Sequence, residues 1–150
     1  MNNAVNFNSL ERLVARCTSL KSLKLNKNVT LEQLQRLLVH APRLTELGTG
    51  SYSQEMRSQQ FDNLLAAFNN CKELRILSGF WDVAPVYFPV IYPVCLKLKF
   101  LNFSYATILS SDLGRVIINC PHLQRIWVLD NVEDAGLEIA SSSCKDLREL

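Results

Sequence analysis

The stretch Cys71-Lys-Glu-Leu-Arg-Ile-Leu77 decides how this chain folds, because its spacing recurs along the whole sequence. A small residue, here called the anchor, is followed after three residues by a leucine, and after three more by another leucine or an isoleucine. This pattern occurs six times, with the anchors Cys17, Ala41, Cys71, Cys95, Cys120 and Cys144. The intervals between anchors are 24, 30, 24, 25 and 24 residues, so the chain consists of about six similar units.

The residues before each anchor predict a helix, and those after it predict a short strand. Apolar residues stand seven and four positions before every anchor, and the offsets of seven, four and three share one face of a helix. The fourth helix should be short, distorted or partly 3₁₀, because Pro89 falls inside it and an interior proline removes a helix hydrogen bond. The predicted helices are 9–16, 31–40, 61–69, 86–94, 111–119 and 134–143.

A strand, a turn and a helix in 24 to 30 residues are typical of the leucine-rich repeat. The predicted fold class is therefore α/β: a leucine-rich-repeat solenoid of about six repeats, with parallel strands on the concave side and helices on the convex side. The five cysteines are an odd number and contain no Cys-x-x-Cys pair, which argues against a disulfide set or a zinc site. We interpret them as small buried core residues.

Composition and motifs argue against several classes of function. The chain has sixteen Lys and Arg against fourteen Asp and Glu, a balance that does not predict nucleic-acid binding. No apolar stretch approaches the roughly 20 residues that span a bilayer. Neither His40 nor His122 has a nucleophile and carboxylate at a spacing that suggests a triad. We predict no catalytic residue, no metal site, and neither nucleic acid nor a membrane as partner.

The long interval between the second and third anchors contains a polar, glycine- and serine-rich loop at 48–60. Insertions in repeat proteins often lie on the binding face. The alternative is a tolerated surface insertion, because lengthening a loop costs little free energy. The sequence leaves both readings open.

Partner contacts are expected on the concave face. Because strand residues alternate sides, the residues five, seven and nine positions after each anchor should point away from the core. Large side chains at such positions are typical anchors for a protein partner. The alternative is that they pack on neighbouring concave residues or on loops. The candidate contacts are Phe80, Phe100, Arg125 and Trp127.

Several longer stretches resemble the auxin-receptor F-box proteins of plants, the transport-inhibitor-response family. The resemblance runs from about Val5 to Leu150. It is carried by the stretches 20–26, 41–50, 71–82, 101–106, 123–130, 133–137 and 144–150, among them Ser78-Gly-Phe-Trp-Asp82 and Leu123-Gln-Arg-Ile-Trp-Val-Leu-Asp130.

The resemblance implies a non-catalytic, nuclear substrate receptor of an SCF-type ubiquitin ligase. In that family an F-box docks a Skp-type adaptor of the cullin ligase. The repeats bind auxin together with a degron of an Aux/IAA repressor, above an inositol polyphosphate.

We expect residues 1–150 to be an internal repeat segment of such a protein, incomplete at both ends and without an F-box. The family's hormone-contacting and inositol-phosphate-contacting stretches do not match positions of this chain, so the resemblance assigns no hormone-binding residue and no cofactor to it. The alternative is a truncated leucine-rich-repeat interaction module that binds no hormone.

Overall fold

The computed structural model describes residues 6–50, 57–106, 108–128 and 134–150, in which short strands alternate with helices. The strands are β1 (Ser22–Lys24), β2 (Glu46–Gly48), β3 (Ile76–Ser78), β4 (Phe100–Phe103) and β5 (Arg125–Val128). The helices are α1 (Phe7–Arg16), α2 (Leu31–Leu38), α3 (Ser58–Asn69), α4 (Tyr92–Cys95), α5 (Ser110–Ile117) and α6 (Asp134–Ser143), with a 3₁₀ segment at Pro85–Ile91.

The five strands form one parallel sheet in chain order. Equivalent positions of successive units lie level: Leu47 pairs with both Leu23 and Leu77 in register. A bridge between Arg125 and Glu149 continues the sheet into the sixth unit. This arrangement confirms the predicted leucine-rich-repeat solenoid, with strands in one layer and helices in the other.

The repeated leucines form the core between the two layers. In the second to fifth units, the residues three and six positions after the anchor are completely buried; they are Leu44, Leu47, Leu74, Leu77, Leu98, Leu101, Leu123 and Ile126. Full burial of such a side chain contributes roughly 1.5–3 kcal/mol. One unit alone could not bury this face, so stability depends on stacking.

The cysteines occupy the tight site between helix and strand, as predicted. All five are free thiols, and all but the half-buried Cys17 are buried. The Sγ atom of Cys144 donates to the carbonyl oxygen of Cys120 in the preceding unit over 3.4 Å. A larger side chain would not fit where two units approach this closely.

Local sequence sets several helix ends. Thr30 precedes α2 and its Oγ1 accepts a hydrogen bond of 3.2 Å from the backbone N–H of Gln33, whose side chain accepts one of 3.0 Å from the N–H of Thr30. This reciprocal pair is a capping box. Asp112 lies in the first turn of α5, where a carboxylate stabilises the positive end of the helix dipole. The 3₁₀ segment followed by one turn of α4 confirms the distortion predicted from the prolines.

Two predicted helix-face residues are not buried. Leu13 is 58% exposed and Leu137 is 37% exposed. Their helices, α1 and α6, are the first and last of the described stack, and each packs on one neighbouring helix, α2 and α5 respectively. The predicted apolar face is therefore only half covered at these two positions.

The predicted concave position of Phe80 is wrong. Strand β3 ends at Ser78, and the backbone then turns through Gly79 and Phe80 with φ angles of +99° and +58°. The alternation of strand side chains stops at that turn, so Phe80 points into the core and is 0% exposed. Its ring centroid lies 5.2 Å from that of Phe103 and 6.0 Å from that of Phe88.

The turn at Gly79 is fixed by the preceding unit. The buried Thr49 hydroxyl accepts a hydrogen bond of 2.8 Å from the backbone N–H of Phe80 and donates one of 3.2 Å to the carbonyl of Ser78. A Cβ on Gly79 would lie 2.2 Å from the carbonyl oxygen of Thr49, so only glycine fits there. Part of the predicted loop at 48–60, residues 51–56, lies outside the described residues.

Candidate partner-binding surface

The structure brings three of the four candidate contacts together on the concave face. Phe100 pairs directly with Arg125 across β4 and β5, and Trp127 is two residues further along the same side of β5. The rings of Phe100 and Trp127 meet edge to face, with centroids 5.0 Å apart and planes at 70°. The guanidinium carbon of Arg125 lies 4.2 Å from the Phe100 centroid and 5.2 Å from the Trp127 centroid.

A fourth residue, Glu149, completes this group, here called the concave cluster (Phe100, Arg125, Trp127 and Glu149). Its Oε2 accepts a hydrogen bond of 3.0 Å from Nε of Arg125, and its Oε1 accepts one of 2.8 Å from the indole N–H of Trp127. The offset of Glu149, five residues after the sixth anchor, predicts an outward side chain, although Glu149 is not one of the four candidate contacts. The feature that could have identified Glu149 is its position opposite Arg125 on the neighbouring strand, where opposite charges form a pair.

The ion pair of the concave cluster orients the Arg125 side chain but adds little to the stability of the fold. The side chains of Arg125 and Glu149 are 41% and 47% exposed, and such surface pairs contribute about 0–1 kcal/mol. The carboxylate nevertheless holds the guanidinium against the Phe100 and Trp127 rings. A planar cation stacked on aromatic groups is a pre-ordered surface that loses little side-chain entropy when a partner binds.

The concave residues could either contact a partner or pack on neighbouring residues, and their exposure distinguishes these two possibilities. Phe100 is half-buried by its neighbours, as the packing alternative requires. Trp127, however, remains 38% exposed. The cluster is therefore a partly exposed aromatic and charged surface, whereas Phe80 belongs to the core.

The remaining concave positions are smaller and more polar. Nζ of Lys24 lies 3.0 Å from Oε1 of Glu46, whose Oε2 accepts a hydrogen bond of 3.5 Å from the Ser22 hydroxyl. Along the strands β1 to β5, the outward cations are thus Lys24 and Arg125, and each lies against a carboxylate.

A second aromatic pair lies at the carboxyl ends of β3 and β4. The rings of Trp81 and Tyr105 stack with centroids 4.2 Å apart and planes at 19°. Each residue stands ten positions after its anchor, so the repeat places them side by side. Tyr105 is 53% exposed. Neither was nominated from the sequence, because strand alternation does not extend into the turns.

Among the described residues, the other titratable groups show no arrangement suited to catalysis. His40 lies 3.9 Å from Glu11 and His122 lies 3.4 Å from Asp146, both at the surface. Burial raises the pKa of the Cys71 thiol to about 11, which opposes formation of a nucleophilic thiolate. Within the part of the chain that the structure describes, no three metal-ligating side chains converge, and no helix combines the length and apolarity needed to cross a bilayer.

Comparison with solved structures identifies the same fold. A tropomodulin C-terminal domain from Caenorhabditis elegans superimposes with a TM-score of 0.61, covering 95% of this chain and 93% of that one. The two sequences are only 14% identical, so the likeness concerns the fold alone. No protein-family model matches the chain.

Proteins with similar sequences identify the family as well as the fold. GRR1-like protein 1 of Arabidopsis thaliana is 51% identical over all 150 residues. Transport inhibitor response 1-like protein Os05g0150500 of Oryza sativa subsp. japonica is 51% identical over 97% of the chain. The chain belongs to this family of F-box/leucine-rich-repeat proteins. A third member, F-box protein FBX14 of Arabidopsis thaliana, is 45% identical over 97% of the chain.

The match covers a limited part of each relative. The chain spans 26%, 25% and 24% of the lengths of these three proteins. The similarity therefore places the chain in the family through a set of repeats. The match does not by itself assign the activity of a whole family member to this chain.

Proposed function

We propose that this chain forms substrate-recognition repeats of an SCF-type ubiquitin ligase receptor, which in the complete protein binds auxin and Aux/IAA repressor degrons. The observation that carries this proposal is the 51% identity, over nearly the whole chain, to a protein named for the transport inhibitor response. The solenoid fold supports it, because stacked repeats provide the extended concave surfaces that bind protein partners.

In this role the repeats perform no reaction. They hold a repressor near the catalytic subunits of the ligase, to which a Skp-type adaptor and a cullin connect the complete receptor. The receptor acts in the nucleus, where its repressor substrates would be found. The raised thiol pKa of Cys71 and the surface positions of both histidines are consistent with a binding role.

Within the repeats, Phe100, Arg125 and Trp127 are the proposed partner contacts. Aromatic residues and arginine dominate the binding energy of protein interfaces. Here the three side chains converge, and Glu149 orients two of them through hydrogen bonds of 3.0 and 2.8 Å. A partner would cover the 38% of Trp127 that is exposed and gain apolar burial without having to order the side chain.

Inositol polyphosphate, which the family implies for the complete receptor, does not fit the concave strands of this segment. A ligand with many phosphates requires several cations free to contact it. The two outward cations of the described strands, Lys24 and Arg125, each lie 3.0 Å from a carboxylate oxygen. No residue of this chain is assigned to that ligand.

A second candidate function is a leucine-rich-repeat module that binds a protein without any hormone. The completeness of the concave cluster within this chain favours it, since no hormone-contacting residue is assigned here. The two candidates differ in their need for an F-box and for auxin.

The native product distinguishes these candidates. An antibody raised against residues 48–60 would recover it from plant extract, and the recovered complex would be probed for a Skp-type adaptor. A product several times larger than 17.0 kDa that carries the adaptor is expected for the receptor. A product of 17.0 kDa without adaptor would overturn the receptor proposal in favour of the hormone-independent module.

A further inference from the structure

One edge of the solenoid, where helices end and strands begin, gathers positive charge. Each anchor carbonyl accepts a hydrogen bond from the N–H three residues on, as in Cys71 to Leu74 over 3.3 Å. The turn is therefore the same in every unit. Residues one, two and four positions after the anchors stack along this edge, here called the turn edge.

The innermost row of the turn edge is defined by backbone hydrogen bonds. The N–H of Lys99 donates to the carbonyl of Arg75 over 2.8 Å. In the same way, the N–H of Gln124 donates to the carbonyl of Lys99, and the N–H of Arg148 to the carbonyl of Gln124, over 2.7 Å each. Adjacent parallel strands lie about 4.8 Å apart. Side chains at this offset therefore form a closely spaced column, four of whose six members are basic: Lys21, Arg75, Lys99 and Arg148.

Charge is segregated to this edge. It carries eight of the sixteen Lys and Arg but two of the fourteen Asp and Glu, so the rest of the chain is net acidic. The two carboxylates are already paired: Glu73 lies 3.4 Å from Nζ of Lys21, and Asp146 lies 3.4 Å from His122. The eight basic residues are Lys21, Arg43, Lys72, Arg75, Lys97, Lys99, Lys145 and Arg148.

Helix dipoles explain only part of this distribution. Helix ends carry a partial negative charge at this edge, and nearby cations offset it. Residues one or two positions after an anchor, such as Lys72 and Lys145, adjoin those ends. The residues of the inner column lie at the starts of the strands instead. They are beyond the last helical turn, to which the effect of the helix dipole is confined. The side chains of Lys72, Lys99 and Lys145 form no hydrogen bond or ion pair with any described residue, and Lys72 and Lys145 are exposed.

We propose that the turn edge is a docking surface for an acidic segment of a partner polypeptide. An extended chain running across the repeats could place carboxylates against successive cations, and complementary charge of this kind raises the association rate and fixes register. This surface adjoins the concave cluster but is distinct from it, and the inference goes beyond the proposed receptor function because it does not depend on auxin or a degron.

Features of the turn edge favour a polypeptide over a nucleic acid. Single-stranded nucleic acids are usually bound by aromatic side chains on which bases stack, and none of the residues at the three offsets is Phe, Tyr or Trp. Glu73 and Asp146 interrupt the row. A peptide can place uncharged residues opposite them, whereas a nucleic acid carries a phosphate at every nucleotide. The chain's pI of 8.3 is also below the range above 9 that marks nucleic-acid-binding domains.

The test is a fluorescence-anisotropy titration of the chain against a labelled glutamate-rich peptide, with a glutamine-rich peptide as the neutral probe. The edge variant combines Lys72→Gln, Lys99→Gln and Lys145→Gln. The matched control combines Arg12→Gln, Lys27→Gln and Arg57→Gln, which removes the same charge away from the turn edge. Circular dichroism would establish that each variant retains its helices.

The proposal expects the acidic peptide to bind more weakly as salt increases, and the edge variant to raise the dissociation constant about tenfold, or roughly 1.4 kcal/mol. The control should change it less than about twofold. If the edge variant unfolds, Lys72→Arg with Lys99→Arg and Lys145→Arg should retain binding. Equal weakening by both glutamine variants, no peptide binding, or tighter binding to single-stranded DNA or phosphatidylserine vesicles would overturn it.

Discussion

The Nε atom of Arg125 donates a hydrogen bond of 3.0 Å to Oε2 of Glu149 across the last parallel pairing of the sheet. This contact joins the fifth and sixth repeats on the concave face. It also holds the guanidinium 4.2 Å from the Phe100 ring centroid. The proposed partner surface thus depends on three successive repeats, the fourth to the sixth, being stacked in register.

Replacing Trp127 tests the concave cluster. In the complete receptor, Trp127→Ala should weaken binding of an Aux/IAA repressor by about 2 kcal/mol, as expected for a central aromatic contact. Binding would be measured by calorimetry. The control is Val86→Ala, which removes a 69% exposed apolar side chain from the 3₁₀ segment. Equal effects of the two substitutions would show that Trp127 is not a partner contact.

Phe80 should behave as a core residue. Phe80→Ala removes a side chain that is 0% exposed and packed on Phe88 and Phe103, so we expect the free energy of unfolding to fall by roughly 3–5 kcal/mol. Urea denaturation followed by circular dichroism would measure it. A loss within about 0.5 kcal/mol, the range of surface substitutions, would restore the concave position predicted from strand alternation.

The hydroxyl of Thr49 should stabilise the turn after β3. Thr49→Val preserves the side-chain shape but leaves the buried N–H of Phe80 without its acceptor, which costs about 1–3 kcal/mol. Thr49→Ser retains the hydroxyl and should be less destabilised. Denaturation of both variants measures the difference, and a valine variant as stable as the serine variant would contradict this role.

The stability of the fold should fall at high pH through its buried thiols. Burial raises the pKa of Cys71 from 9.0 to about 11, so between these values the unfolded chain ionises while the folded chain stays protonated. The stabilising contribution is complete below pH 9 and is lost as the pH rises towards 11. Hydrogen bonding to Cys95 and burial raise the pKa of Cys120 in the same direction.

Denaturation of Cys71→Ala and of the unsubstituted chain across this pH range would measure the contribution. The alanine variant should show the smaller decline, although the other buried thiols leave some dependence. Parallel curves for the two proteins would argue against a raised pKa at Cys71.

Sequence periodicity predicts the fold well because each unit repeats the same packing problem. The anchors and the leucines three and six positions later are buried throughout the second to fifth units, as the offsets require. The short, partly 3₁₀ fourth helix also follows from Pro89, whose missing N–H is a local property of the sequence.

The candidate site was predictable only where the strand continues. Phe100, Arg125 and Trp127 lie within β4 and β5, so alternation places them correctly. Phe80 lies two residues beyond β3, where Gly79 adopts a φ of +99° because of a contact with Thr49 in another repeat. Glu149 and the Trp81–Tyr105 stack likewise depend on side chains from neighbouring units, which spacing within one unit does not specify.

Auxin-dependent binding of an Aux/IAA degron peptide tests the central claim most directly. The native product that carries this chain would be titrated with the peptide in a calorimeter, with and without auxin. The account predicts saturable binding that auxin strengthens at least about tenfold, or roughly 1.4 kcal/mol. Identical binding with and without auxin, or no binding in either case, would contradict the receptor function.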